Sequence, residues 1–384
     1  MTKKVVWISS YLPRSCGIAY YSSDYINAIK KYARMNNKNI SIKIISHTDA
    51  EKADYPIINL KDREWEDKVF NKIKKLKPNI VHIQHEYGLY ETYKDENRNL
   101  LGLLKKLRKE KIPTVMTYHS IYKKLNPSHK IFVKTSLKYL SAAIFHEDYQ
   151  KRALKENLGY VPKNIYVLPH GSDNTFHPDK EKIKKEYNYG DKLVVGIAGI
   201  ADERKGFRTM IRQWPKVVKK FPNAILSIEI KPHVTKSTRD YINKVMKAIM
   251  KSKVSNSIEL VVKDYKTSEF LKRLASFDVL VLPYKSESQS GVLAHGFAAA
   301  TPAIVTDIEG LGAEIRNSHA GIAVKMKDRK NNFYKYILKL LASKRLRDRY
   351  SENAKNYVDK VSGWNIIARK TFKIYEKVLK SQSF

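Results

Sequence analysis

The chain of 384 residues is short of cysteine, of acidic residues and of long apolar runs. Its single cysteine, Cys16, excludes an internal disulfide framework and suits a reducing compartment. No stretch approaches the roughly 18 apolar residues that cross a bilayer, and the opening MTKKVVWISS lacks a signal-peptide pattern. The expected location is therefore cytoplasmic, with a peripheral place on the inner face of the membrane as a further expectation. No GxGxxG fingerprint follows the first strand-like run, where PRSCGIAYYSSDY offers one glycine, so the dinucleotide signal is weak. Neither an Asp-x-Asp pair nor a cysteine cluster supplies metal ligands. His82 and His85, three apart in VHIQHEYG, fall on opposite faces of an extended segment, which does not suit a shared metal.

Bases, in contrast, are abundant. Lys and Arg number 74 against 38 acids, a formal net charge of +36. From Arg98 to His146 there are eleven bases and one acid, Glu110. Such a field favours anionic partners, namely a phospholipid surface, nucleic acid or a charged glycan. The plainer alternative is a lysine-rich, solvated surface. Within this window LLGLLKKLRKEK, Leu100 to Lys111, sets leucines on one side and bases on the other. That pattern fits either an anionic membrane surface or a helix covering a sheet with its leucine face. Tyrosines number 25, and several stand beside bases, as in IYKKLNPSHKIF, an arrangement that offers stacking to nucleic acid.

Apolar runs of strand length alternate with amphipathic segments throughout, the pattern of parallel α/β sheets. The strand runs are KVVWISS, SIKIIS, NIVHIQ, TVMTYH, AAIFH and IYVLP, then KLVVGIAGI, AILSIEI, SIELVV, DVLVLPY, PAIVTD and GIAV. The pattern restarts near Lys192 after the polar stretch HPDKEKIKKEYNYGDK. The expected domains are residues 1–178 and 179–362, with the tail 363–384 a helix packing back on the first domain.

Ligands of open parallel sheets bind at the carboxyl ends of strands. That singles out residues 13–17, His85–Gly88, His119, Glu147, His170-Gly171, residues 201–206, Glu287–Gly291 and residues 307–312. Arg204-Lys205-Gly206 precede the helical run FRTMIRQWPKVVKKF, so two cations stand beside a helix N-terminus and suit a diphosphate. In ESQSGVLAH, Ser290, Gly291 and Val292 fall in a first helical turn whose N–H groups can hold phosphate oxygens. Glu287 just ahead suits sugar hydroxyls, or else caps the helix. The turn at Gly17 suits a floor for phosphate or acceptor, and the alternative for each basic corner is a solvated turn.

Over essentially the whole chain these residues resemble the retaining nucleotide-sugar glycosyltransferases of family 4. The matching segments are PRSCGIAYYSSDYINAI, IVHIQHEYG, TVMTYHS, LPHGSDNTF, GIADERKGF and DVLVLPYKSESQSGVLAHGFAAATPAIVTD. The resemblance implies an α/β GT-B fold of two facing Rossmann-like, doubly wound domains with a cleft between them. It implies a UDP- or GDP-sugar as substrate, bound chiefly by the second domain, with neither metal nor cofactor. Lys205 matches the lysine at the donor diphosphate, with Arg204 and Gly206 beside it. The family's arginine five or six positions earlier is absent, and Gly199 and Ile200 stand there. Glu287 matches the first acid of the Glu-x7-Glu element, whereas the second, which holds the ribose, is His295. His119 matches the histidine near the donor sugar, and Gly17 the N-terminal glycine loop. Arg14, His85, Glu86 and Tyr87 fall on the acceptor side. The implied reaction is front-face transfer, in which the acceptor hydroxyl loses its proton to the departing phosphate. The favoured acceptor is a glycan or lipid-linked sugar in anionic surroundings. The alternative is a modified base in phage-type DNA, and a third reading is a nucleotide-sugar-binding protein without turnover.

Overall fold

The computed structural model describes residues 2–14, 16–91, 98–232, 236–286 and 289–381. The chain divides into two compact units, Met1–Gly171 with Trp364–Phe384, and Ser172–Gly363. The chain leaves the first unit after Gly171, ahead of the polar stretch at 178. Ser172 pairs with Gly363, and its amide donates to Ser362 O (2.9 Å), which keeps residues 172–178 with the second unit.

The first unit holds seven parallel strands: β1 (Lys3–Ile8), β2 (Ile40–His47), β3 (Tyr55–Ile58), β4 (Ile80–His85), β5 (Thr114–Tyr118), β6 (Ala142–Phe145) and β7 (Ile165–Val167). Their order is β3-β2-β1-β4-β5-β6-β7. The inner strands β4, β5 and β6 are buried at every residue, as a parallel sheet covered on both faces requires. One face carries Val69, Leu100, Leu103, Leu104, Leu107 and Phe132. Trp7, Tyr25, Ile367, Phe372 and Tyr375 lie in the core on the other face, where the helix Trp364–Lys380 packs beside the helix Gly17–Met35. The leucines of the helix Arg98–Lys109 are therefore core, and each buried leucine stabilises by roughly 1.5–3 kcal/mol. They do not form a membrane-facing stripe.

The second unit holds β8 (Leu193–Ile200), β9 (Ala224–Lys231), β10 (Ile258–Val262), β11 (Val279–Leu282), β12 (Ala303–Thr306) and β13 (Gly321–Val324), in the order β10-β9-β8-β11-β12-β13, again parallel. Each sheet thus reverses its strand order once, between β1 and β4 and between β8 and β11. No described helix is long and apolar enough to cross a membrane.

Candidate functional site

In the second unit the switch point brings together the loops that follow β8 and β11. The first loop is a 3-10 turn, Glu203–Lys205, ending at Gly206. Gly206 has φ 78°, and a Cβ there would lie 2.5 Å from Pro283 O, so only glycine fits. The Lys285 amide donates to Arg204 O (2.8 Å), stitching the two loops. Lys205 Nζ sits 4.1 Å from the centroid of the Tyr284 ring, whose hydroxyl donates to Ala198 O (3.2 Å). Tyr284 is itself fully buried, so Lys205 rests on a fixed platform. Arg204 folds back on Asp202, with Nε at 3.0 Å and Nη2 at 2.8 Å from Oδ2, and that bond holds the Asp202 carboxyl below its ordinary pKa. Lys205 is thus the cation set on the platform, while the Arg204 guanidinium is engaged locally. Gly199, one of the two residues that stand where the family's arginine is absent, has φ 151°, a conformation that L side chains rarely adopt.

The loop after β11 leads to the helix Gly291–Ala298. Ser290 is its N-cap and accepts from the Leu293 amide (3.3 Å). The first-turn amides of Gly291 and Val292 have no intrahelical acceptor. Glu287 lies outside the described residues. His295, one turn on, meets the edge of Phe270 at 5.7 Å, and its Nδ1 is buried without a hydrogen-bond partner. Burial pushes its pKa down to about 4, with Asp173 opposing the shift, so the ring is neutral at pH 7. Two cations at this corner escaped the sequence reading. Lys285 lies 3.5 Å from Glu203, and Arg329, 8% exposed, donates from Nη1 to Pro283 O (3.2 Å). Arg329 comes from the helix Met326–Arg329 after β13, with no local motif to mark it.

In the first unit the ends of β4, β5 and β6 gather histidines. His119 Nε2 lies 2.9 Å from Gln84 Oε1, and His119 Nδ1 lies 3.3 Å from His146 Nε2. Tyr21 meets both rings edge-on, at 4.7 and 5.7 Å. Burial, then His146, hold the pKa of His119 well below the usual value. His82 and His85 do face opposite sides of β4: His82 packs on Trp7 (4.3 Å), and His85 stacks on Phe132 (4.5 Å). His85 is fully buried, neither ring nitrogen has a partner, and burial lowers its pKa to about 3. Tyr87 stacks on His129 at 3.7 Å and Tyr122 at 5.6 Å. Glu86 accepts from Ser120 Oγ (2.6 Å) and the Tyr87 amide (2.9 Å). Arg14 is 3.6 Å from Asp49, and Gly17 opens the helix Gly17–Met35 with open space where a Cβ would stand. Gln84, His146 and Tyr21 were not singled out in the sequence. Nothing local marks them, because their roles arise from neighbouring strands.

Two doubly wound parallel sheets, each with charged or polar corners at its switch point, define a GT-B-type glycosyltransferase fold. Residues 59–176 match the Glycosyltransferase Family 4 model, and residues 191–343 match the model for glycosyl transferases group 1. The chain belongs to this family of glycosyltransferases. A Methanocaldococcus jannaschii protein described as an uncharacterized glycosyltransferase is 24% identical and aligns over 98% of each chain. A glycosyltransferase from Rickettsia africae shares the fold with a TM-score of 0.74 at 18% identity, over 99% of each chain. HepE of Anabaena, solved in complex with UDP and glucose, matches with a TM-score of 0.72 at 12% identity, over 98% of this chain and 100% of its own.

Proposed function

We propose that the protein moves a sugar from a nucleoside diphosphate sugar, a UDP- or GDP-sugar, to a glycan or lipid-linked acceptor, with retention and without a metal. The observation that carries this reading is the second-unit corner. There the loop bearing Lys205 and Gly206 is tied to the exit of β11, just ahead of the Gly291–Val292 turn. A cation and uncommitted first-turn amides suit a diphosphate leaving group. The binding of UDP and glucose by HepE, which has this fold, supports a nucleotide-sugar donor.

In this reading Lys205 and the amides of Gly291 and Val292 neutralise charge as the sugar–phosphate bond lengthens. Ser290 fixes the turn that presents those amides. Glu287 serves the sugar hydroxyls and His295 the ribose. The first unit contributes His119 at the donor sugar, and Arg14, Gly17, His85, Glu86 and Tyr87 on the acceptor side. His85 is buried, whereas Arg14, Glu86 and Tyr87 are partly exposed and Gly17 is exposed. The acceptor hydroxyl passes its proton to the departing phosphate oxygen on the same face, so no protein base is required. Exposed Lys123, Lys124, Lys130, Lys134 and Lys138 give the first unit a basic surface suited to an anionic membrane or an anionic acceptor. The same lysines support the second reading, a DNA acceptor; the location is cytoplasmic in either case, and peripheral on the inner face of the membrane where the acceptor is a lipid.

The deciding experiment offers UDP-, GDP- and ADP-sugars with lipid, glycan or DNA acceptors and scores nucleotide release and labelled transfer. Release from one donor class with transfer to lipid or glycan is expected. Transfer to DNA alone would replace the acceptor assignment, and no release from any donor would contradict the reading.

A further inference from the structure

Three buried histidines of the first unit, His82, His119 and His146, lie on one continuous chain of hydrogen bonds. Tyr375 OH lies 2.6 Å from His82 Nδ1, and His82 Nε2 lies 2.9 Å from Thr117 Oγ1 and 3.2 Å from Gln84 Nε2. The far end of the Gln84 amide reaches His119 (2.9 Å), and His119 reaches His146 (3.3 Å). His146 Nδ1 ends the chain on Leu168 O at 3.0 Å. All the side chains in this series are buried, and burial lowers the pKa of His82 to about 3 and that of His146 to about 4. The imidazoles are therefore neutral at pH 7, with one N–H each.

Counting protons fixes the direction of the chain. A carbonyl only accepts, so His146 carries its proton on Nδ1, facing Leu168 O. Its Nε2 then accepts, so His119 carries its proton on Nδ1. His119 Nε2 must in turn accept, and the group facing it must be the NH2 end of Gln84. With the Gln84 carbonyl facing His119, the two imidazoles would need three N–H groups between them, which requires a buried imidazolium. Turning the amide end for end removes that need. The carbonyl then accepts from His82 Nε2–H and Thr117, and His82 Nδ1 accepts from Tyr375 OH.

We infer that Gln84 and His146 are positioning residues that lock His119 as a neutral Nδ1–H imidazole, through a chain of hydrogen bonds all pointing from Tyr375 towards Leu168 O. His119 then has both nitrogens engaged and acts as a fixed neutral wall, neither donating nor taking a proton in turnover. This consequence for turnover rests on the role given to His119 above, whereas the proton arrangement does not. The other titratable groups around the pair are Tyr21 from the helix Gly17–Met35, His82 and His85 from β4, His170 after β7, and Glu147 beside His146.

The test uses the full chain with 15N-labelled histidine, with peaks assigned by His119→Gln and His146→Gln. In the wild type, His119 and His146 should both show Nδ1–H tautomers that do not titrate between about pH 5.5 and 8. An Nε2–H tautomer at His119, or titration of either ring in that range, would overturn the inference without any variant at Gln84. Gln84→Glu places an acceptor-only carboxylate against Nε2, so the pair should gain a proton. One imidazolium should appear, and turnover should acquire an ionisation between about pH 6 and 8 that the wild type lacks. If Gln84→Glu leaves the tautomers unchanged, the chain is refuted. If the spectra change and the pH profile of turnover does not, the chain stands and the role of His119 in turnover falls.

Discussion

The two units bury polar groups in opposite ways. In the first, the sheet interior holds neutral histidines joined by shared protons. In the second, it holds charge: Arg273, 2% exposed, donates from Nε to Glu229 (2.7 Å) and from Nη2 to Ser227 and Glu259 (both 2.9 Å). Tyr265 donates to the other oxygen of Glu229 (2.7 Å), and Tyr189 donates to Glu259. A neutral chain fixes tautomers and ring orientations, which suits a wall against a sugar. A paired ion network anchors β9, β10 and the helix Thr267–Ala275 and leaves the β8–β11 corner to present cations. The difference predicts how each unit fails.

The largest effect should come from acid. His47, His82, His85, His119 and His146 of the first unit all have pKa values pushed below 6.5 by burial, against His295 alone among the described residues of the second. A histidine with a lowered folded pKa contributes its full stability above about pH 6.5, because the unfolded chain takes up protons first as pH falls. Each such histidine costs about 1.4 kcal/mol per pH unit below that point. Between pH 7 and 5, amide exchange should therefore open residues of the first unit before those of the second. Simultaneous opening would break the comparison.

Next in size is Glu229→Ala, which strands the buried Arg273 guanidinium. About 3–5 kcal/mol of stability should be lost in urea unfolding, with the loss centred on the second unit. A loss below about 1 kcal/mol would mean that water reaches the network. The smallest effect is at the ribose. His295→Glu should change the donor KM by up to about tenfold, about 1.4 kcal/mol, and leave kcat in place. An equal fall in kcat would move His295 to the chemistry.

Much of this was legible in the sequence, for reasons that differ by region. Every strand run read from the sequence is a strand, because parallel strands covered on both faces read as continuous apolar runs. The missed one, β3, is a four-residue edge strand containing Pro56 and only partly buried, so it carries neither length nor pattern. The second-unit corner was legible because strand, turn and helix start are contiguous there. The histidine chain was not, since His82 meets Tyr375 across 293 residues and His146 acquires its role only when β5 and β6 align.

Lys205, resting on Tyr284 at the β8–β11 switch point, is the proposed cation for the donor diphosphate. The most direct measurement is nucleotide release from the accepted donor sugar by the wild type and by Lys205→Ala, with folding checked by amide exchange. The account predicts a folded variant with turnover at least about a hundredfold lower, on the scale of the roughly 3 kcal/mol that one preorganised charge stabiliser supplies. Near-normal turnover in a folded Lys205→Ala protein would contradict it.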